Sequence, residues 1–215
     1  MKSYRLTDIR KMAPTEVPDP RITQSDDVLL RLVRVGVCGS DVHYYTTGRI
    51  GSQVVDFPFT VGHECSAVVE DVGPGVQSLK VGDRVAVDPA VSCYHCDQCL
   101  AGRPHTCRNL RFLGCPGQME GCLSDFIVMP EKSLFKIPDA MSMDEAALVE
   151  PLSIGVYAVQ RSVPMKGAKI GILGMGPIGL SVMLPALAQG ADKVYVTDKL
   201  DYRCALAREH GATWA

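Results

Sequence analysis

Gly167-Ala-Lys-Ile-Gly-Ile-Leu173 runs straight into Gly174-Met-Gly176-Pro-Ile-Gly179. The first stretch is an apolar run of strand character, and the second carries three glycines at the spacing that turns a strand into a helix. Such glycines let the backbone approach a pyrophosphate at the helix amino terminus. The glycine spacing alone is a weak signal, so its surroundings decide. Pro177–Gln189 reads as a helix and Lys193–Asp198 as a second strand, which completes a βαβ unit, and another helix starts at Asp201. Pro185 falls inside the first helix and predicts a kink or an early stop there. Asp198 lies 19 residues after Gly179, where a carboxylate binds a ribose 2′-hydroxyl and repels a 2′-phosphate. That spacing favours NAD over NADP, with Lys199 and Arg203 as the counter-signal.

Upstream of this unit the texture is different. Val28–Val37, Ser66–Val72, Arg84–Asp88 and Leu123–Met129 read as short strands, separated by turn signals such as Gly73-Pro-Gly75 and Gly82-Asp83. They suggest a compact β-barrel-like domain. Near residue 140 helical character begins: Ser142-x-x-Glu145 is a capping box, and Pro151–Arg161 continues in helical style. A complete dinucleotide fold needs about six strands, and only two are read here. The chain is therefore expected to be a fragment of a longer protein.

The cysteines carry the second signal. Cys93-x2-Cys96-x2-Cys99-x7-Cys107 wraps one short loop around a tetrahedral site, and a closed four-thiolate set is a structural zinc site. Ferredoxins use a similar run for iron–sulfur clusters, but with a last gap of about three and a following proline. Here that gap is seven and Arg108 follows, so zinc is preferred. Cys38-Gly-Ser-Asp-x-His43 and Gly62-His63-Glu64 are individually weak, and gain weight together. A catalytic zinc needs three protein ligands and an open position. Cys38 and His63 fit that set, with Glu64 and Glu150 competing for the carboxylate role. The other cysteines, Cys65, Cys115, Cys122 and Cys204, read as small buried apolar residues.

Composition bounds the partners. The 215 residues carry a formal net charge of −2, which gives no electrostatic case for nucleic acid or an anionic membrane surface. No apolar run approaches the roughly 18–20 residues of a membrane span, and Met-Lys-Ser-Tyr-Arg-Leu lacks the apolar core of a secretory signal. A cytoplasmic location is expected.

The stretches VGVCGSDVHYY (35–45), GRIG (48–51), VGHE (61–64), ALVEPLSIGVYA (147–158) and GMGPIG (174–179), with the four-cysteine loop, resemble the zinc-dependent medium-chain dehydrogenases. Within them the chain is most similar to the polyol dehydrogenases of the sorbitol and xylitol type. The resemblance implies a β-rich GroES-like barrel domain over 1–163, followed over 164–215 by the start of an α/β Rossmann NAD-binding domain. It implies that Cys38, His63 and Glu64 bind the catalytic zinc. Glu150 would hold its water, or serve as an exchangeable ligand beside the substrate. Ser40 and His43 would relay the alcohol proton, Asp41 would orient the zinc-bound imidazole, and Tyr44 would contact substrate. Gly174, Gly176, Ile178, Gly179, Asp198 and Arg203 would hold the cofactor.

The implied reaction moves hydride between a polyol secondary alcohol and NAD, giving a ketose. The substrate-binding arginine and tyrosine of the family lie beyond residue 215, so the isolated chain is expected to be inactive. The resemblance further implies a homotetramer for the full-length form. Two other readings stand beside it: another zinc enzyme of the superfamily acting on threonine or a simple alcohol, and a non-catalytic zinc-binding module.

Overall fold

Alternation builds the amino-terminal sheets. Along the strand Asp27–Val35, Val28 and Leu30 are fully buried and Arg31 and Arg34 point outward. Leu30 sits opposite Val69 on one side and Ile127 on the other, so one row of apolar side chains crosses three strands. Each such burial contributes about 1.5–3 kcal/mol. The full sheet has five antiparallel strands, in the order Phe126–Pro130, Asp27–Val35, Cys65–Val72, Arg84–Val87 and Leu134–Lys136. Pro130 is tolerated because its strand lies at the sheet edge. Next to this sheet's turn, buried Asp83 accepts from Lys136 Nζ at 2.6 Å and from the Lys80 amide at 3.1 Å. The Lys136 bond holds the Asp83 carboxyl below the usual carboxylate range.

A smaller sheet pairs Lys2–Asp8 with Lys11–Glu16 on one side and Phe59–Thr60 on the other. The sequence reading did not include this hairpin. Its tight turn is made by Arg10 at φ 60 rather than by glycine or asparagine, so the usual turn signal is missing. The helix Gly39–Thr47 was also not read, since only Asp41 and Tyr44 of it are buried. Leu123 to Asp125, read as strand, lie outside the observed strand Phe126–Pro130. Ser142 does cap the short helix Met143–Ala147: its Oγ accepts from the Glu145 amide at 3.2 Å, and the Ser142 amide donates to Glu145 Oε2 at 2.7 Å.

The computed structural model describes every residue from Met1 to Ala215 and divides the chain into two compact units, Met1–Leu148 and Val149–Ala215. The boundary expected from sequence falls after residue 163. The helix Val149–Gln160 lies in the second unit because it packs on the helix Pro177–Ala188. Gly155 makes that crossing: a Cβ there would overlap the Ser181 carbonyl. Ser181 is also the carbonyl that Pro185, lacking an N–H, leaves without its intrahelical donor. The helix nonetheless runs through Pro185 to Ala188, so the expected early stop does not occur.

In the second unit Lys169–Leu173 and Lys193–Thr197 pair in parallel, with Ile170 opposite Val194 and Ile172 opposite Val196. Val194, Val196, Met183 and Ala207 are fully buried with Ile172. The sheet is two-stranded: the outer side of Lys193–Thr197 meets Trp214, whereas the outer side of Lys169–Leu173 carries no strand. No helix of the structure is long and apolar enough to cross a membrane.

Candidate metal centres and dinucleotide turn

Three chain segments converge on the first centre. Cys38 caps the helix Gly39–Thr47, and its amide donates to Asp41 Oδ2 at 2.9 Å. The other oxygen of the same buried carboxylate accepts from the Gly62 amide at 3.1 Å. One side chain thus ties the Cys38 turn to the segment that carries His63 and Glu64. His63 Nδ1 stands 3.8 Å from Asp41 Oδ1, so Asp41 aligns the ring chiefly through the backbone on either side of it. The Gly36 amide donates to the Glu64 carbonyl at 2.6 Å, which fixes Glu64 against the end of the Asp27–Val35 strand.

The ligand atoms of Cys38, His63 and Glu64 all lie within 4.8 Å of one another, with His63 and Glu64 buried. Burial pushes the Glu64 carboxyl above its ordinary value, opposed by the charge of His63. Thiolate, imidazole and carboxylate on fixed backbone match a three-ligand zinc site with an open fourth position. Ser40 and His43 sit three residues apart on the Gly39–Thr47 helix and therefore share a face. Ser40 is half-buried and His43 is exposed.

Tyr44 packs inward from the same helix. It is buried among Leu6, Val55, Phe59 and Val61, and its hydroxyl donates to Gln53 Oε1 at 2.9 Å. Burial pushes its phenol up to about 12. Tyr44 is thus part of the core beneath the helix, and the exposed ring is that of its neighbour Tyr45. Glu150 lies in the first turn of the helix Val149–Gln160, half-buried, in the second compact unit.

The four cysteines of the second centre are drawn together by a loop and a short helical turn, Asp97–Leu100. Their sulfur separations include 3.4 Å for Cys93–Cys107, 3.6 Å for Cys96–Cys99 and 3.9 Å for Cys96–Cys107. A tetrahedron with metal–sulfur bonds of about 2.3 Å has edges of about 3.8 Å. The cage therefore fits one ion and is too small for a cluster of several iron atoms. Amides of Cys93 and Asn109 point at Cys107 Sγ, both at 3.3 Å, as donors to a thiolate should. The His95 amide lowers the Cys93 thiol to about 6, while burial raises that of Cys99 to about 12. Arg108 pairs with Asp97 at 2.5 Å and pins the far side of the loop.

At the dinucleotide turn each glycine has its own physical reason. Gly174 has φ +95, which an L side chain rarely adopts. Gly176 caps the helix Pro177–Ala188 and lies against the Arg203 guanidinium. A Cβ on Gly179 would overlap the Gly174 carbonyl. Asp198 follows the second strand and accepts from the Met175 amide at 2.7 Å, the Leu200 amide at 3.0 Å and Arg203 at 3.3 Å. These bonds, the Met175 amide foremost, keep its carboxyl below the ordinary range. Ile178 is half-exposed in the first helical turn.

Two features of the first centre were absent from the sequence reading. The Phe112 ring meets His63 edge-on, with centroids 5.4 Å apart. The strap that follows it lies along Thr60–Gly62, with Gly121, Cys122 and Leu123 amides donating to the Thr60, Gly62 and Val61 carbonyls at 2.7, 2.9 and 3.0 Å. A lone aromatic in a two-residue strand and a glycine in the strap after it carry no sequence mark of such backing. Only the fold brings them to His63.

Residues 24–139 match the family of the alcohol dehydrogenase GroES-like domain. The chain belongs to that family, the zinc-dependent medium-chain dehydrogenases. It is 43% identical over 213 residues to a sorbitol dehydrogenase of Bacillus subtilis, a match covering 99% of this chain and 60% of that protein. With an L-idonate 5-dehydrogenase of Vitis vinifera it shares 42% identity over 186 residues, which cover 86% of this chain and 50% of the relative. A zinc-binding dehydrogenase of Sinorhizobium meliloti, solved bound to NADP, superimposes with TM-score 0.88 at 32% identity over 99% of this chain and 60% of that one. The chain thus spans between half and 60% of the length of these relatives.

Proposed function

We propose that the chain is the zinc-binding part and the first nucleotide-binding unit of an NAD-dependent polyol dehydrogenase, oxidising a secondary alcohol of a sorbitol-, xylitol- or iditol-type polyol to a ketose. The observation that carries this reading is the convergence of Cys38, His63 and Glu64 within 4.8 Å, in a chain whose relatives include sorbitol and idonate dehydrogenases. Cys38, His63 and Glu64 would hold the catalytic zinc, and Cys93, Cys96, Cys99 and Cys107 the structural one. When bound, zinc supplies a Lewis acid for the alcohol oxygen and NAD supplies the hydride acceptor.

The chain's own residues do the rest. Oxidation releases one hydride from carbon and one proton from oxygen. Ser40 takes the proton first and His43, exposed on the same helix face, passes it to solvent. Asp41 keeps the Cys38 and His63 segments in register, so the ligands need not reorganise during turnover. Glu150 is the acid assigned to the substrate side. Tyr44 supports the relay helix from beneath, and its hydroxyl is the proposed substrate contact.

Gly174, Gly176 and Gly179 leave the helix amino terminus clear for a pyrophosphate, flanked by Ile178. Asp198 would accept from the ribose hydroxyl, with Arg203 alongside. Its fixed negative charge favours NAD, although the Sinorhizobium meliloti relative was solved with NADP. A cytoplasmic homotetramer belongs to the same reading. So does inactivity of the 215-residue chain alone, since the relatives that carry the activity are longer.

The test is NAD reduction with sorbitol, xylitol and a simple alcohol by the polypeptide at the relatives' full length, as wild type and as Glu150→Ala. Polyol turnover that collapses in the variant supports the reading. Turnover of simple alcohols only, or a variant as active as wild type on polyols, refutes it.

A further inference from the structure

Gly36 stands two residues before Cys38, where the strand Asp27–Val35 has just ended. Its amide donates to the Glu64 carbonyl at 2.6 Å, and the neighbouring pair Val35 and Cys65 is in antiparallel register. The two backbones are therefore held face to face at this point. A Cβ built on Gly36 would overlap Glu64 Oε2, and would lie 3.0 Å from the Glu64 Cβ and 3.4 Å from its Cδ. All three of its nearest neighbours belong to the Glu64 side chain. Gly36 is not among the glycines with positive φ, so its backbone suits any L-residue. Conformation does not explain a glycine here, whereas the space taken by the carboxylate does.

We infer that Gly36 is a positioning residue whose missing side chain is the seat of the Glu64 carboxylate beside Cys38 and His63. The inference rests on reading Cys38, His63 and Glu64 as metal ligands. An added methyl forces the Glu64 side chain to swing aside, because the overlap is with its terminal Oε2, while the 3.0 Å contact with the Glu64 Cβ needs only a shift of a few tenths of an ångström. That swing carries the carboxylate out of the triad and leaves the thiol and imidazole where Asp41 holds them. The four-cysteine cage lies on a separate loop and would keep its ligand set.

The experiment is zinc stoichiometry and second-site affinity of the polypeptide at the relatives' full length, by chelator competition, for wild type, Gly36→Ala, Glu64→Ala and the double variant. Far-UV circular dichroism and retention of the four-cysteine zinc report folding in each. Glu64→Ala is expected to weaken the second site by at least the roughly 10–100-fold seen when a partner of a metal ligand is lost. Gly36→Ala should weaken it by a similar factor, and the double variant should be no worse than either single one, since the methyl then meets no carboxylate. Unchanged affinity in Gly36→Ala beside a weakened Glu64→Ala overturns the seat alone. So does additive loss in the double variant. If Glu64→Ala has no effect, the ligand reading of Glu64 fails, and the seat fails with it. Loss of the four-cysteine zinc or of helical signal in Gly36→Ala also overturns the inference, because its effect is confined to Glu64.

Discussion

Replacing Gly121 with alanine tests how the strap supports the His63 segment. Gly121 is not at positive φ, so alanine brings no backbone penalty. Its Cβ would overlap the Val61 carbonyl and lie 2.7 Å from the Gly62 oxygen, where ordinary contact begins at 3.4 Å. Strap and segment must part by about 0.7 Å to restore contact with the Gly62 oxygen, and by more to clear Val61. The three amide–carbonyl bonds between them, now 2.7 to 3.0 Å, would then exceed hydrogen-bonding length. At about 1 kcal/mol for each bond the expected loss is about 2–3 kcal/mol. Urea unfolding of the metal-free chain measures that loss without any contribution from ligation. The same separation moves His63 and the Phe112 ring that meets it, so second-site zinc affinity should fall as well. A metal-free stability within about 0.5 kcal/mol of wild type, the ordinary range for a surface substitution, would refute the reasoning.

The other expectations concern charge. Asp83 has its carboxyl lowered by Lys136, so the folded state holds its proton less tightly than the unfolded chain does. The pair therefore stabilises fully above the ordinary carboxylate value of about 4 and loses that contribution as pH falls through the lower folded value. Thermal unfolding of wild type and Lys136→Ala should differ at neutral pH and converge in acid; a gap that persists at low pH would show that Lys136 acts by packing. Asp198→Asn in the polypeptide at the relatives' full length should shift the ratio of NADP to NAD dissociation constants toward NADP by about 10-fold or more, one charged hydrogen bond's worth. An unchanged ratio by titration of cofactor fluorescence would remove Asp198 from cofactor choice.

What could be read from sequence was local. The glycine turn and the four-cysteine loop each place their functional atoms on one short stretch of chain, so spacing marks the cysteines, and spacing with its flanking strands and helix marks the glycines. The Ser142 cap was legible for the same reason, because donor and acceptor are three residues apart. Strands were found where Val, Leu and Ile alternate, and missed where Arg10 made a hairpin turn without a glycine. The roles of Gly36, Gly121 and Phe112 were out of reach, since their partners Glu64, Val61 and His63 lie 28, 60 and 49 positions away along the chain. Tyr44 has a second setting that its sequence neighbours do not mark, since in space it packs on Leu6, Val55, Phe59 and Val61. Pro185 does not stop its helix, whose continuation to Ala188 is not marked in its own sequence.

The unmatched side of Lys169–Leu173 has a practical meaning. A strand bonded along one side presents amides and carbonyls to any other strand of the right direction, and Leu173 at its end is 90% exposed. The flanking charges Lys169 and Lys193 repel a second copy at low ionic strength, and salt screens that repulsion. Concentrated samples in high salt should scatter light and precipitate first through this seam, whereas dilute samples at low salt should stay clear.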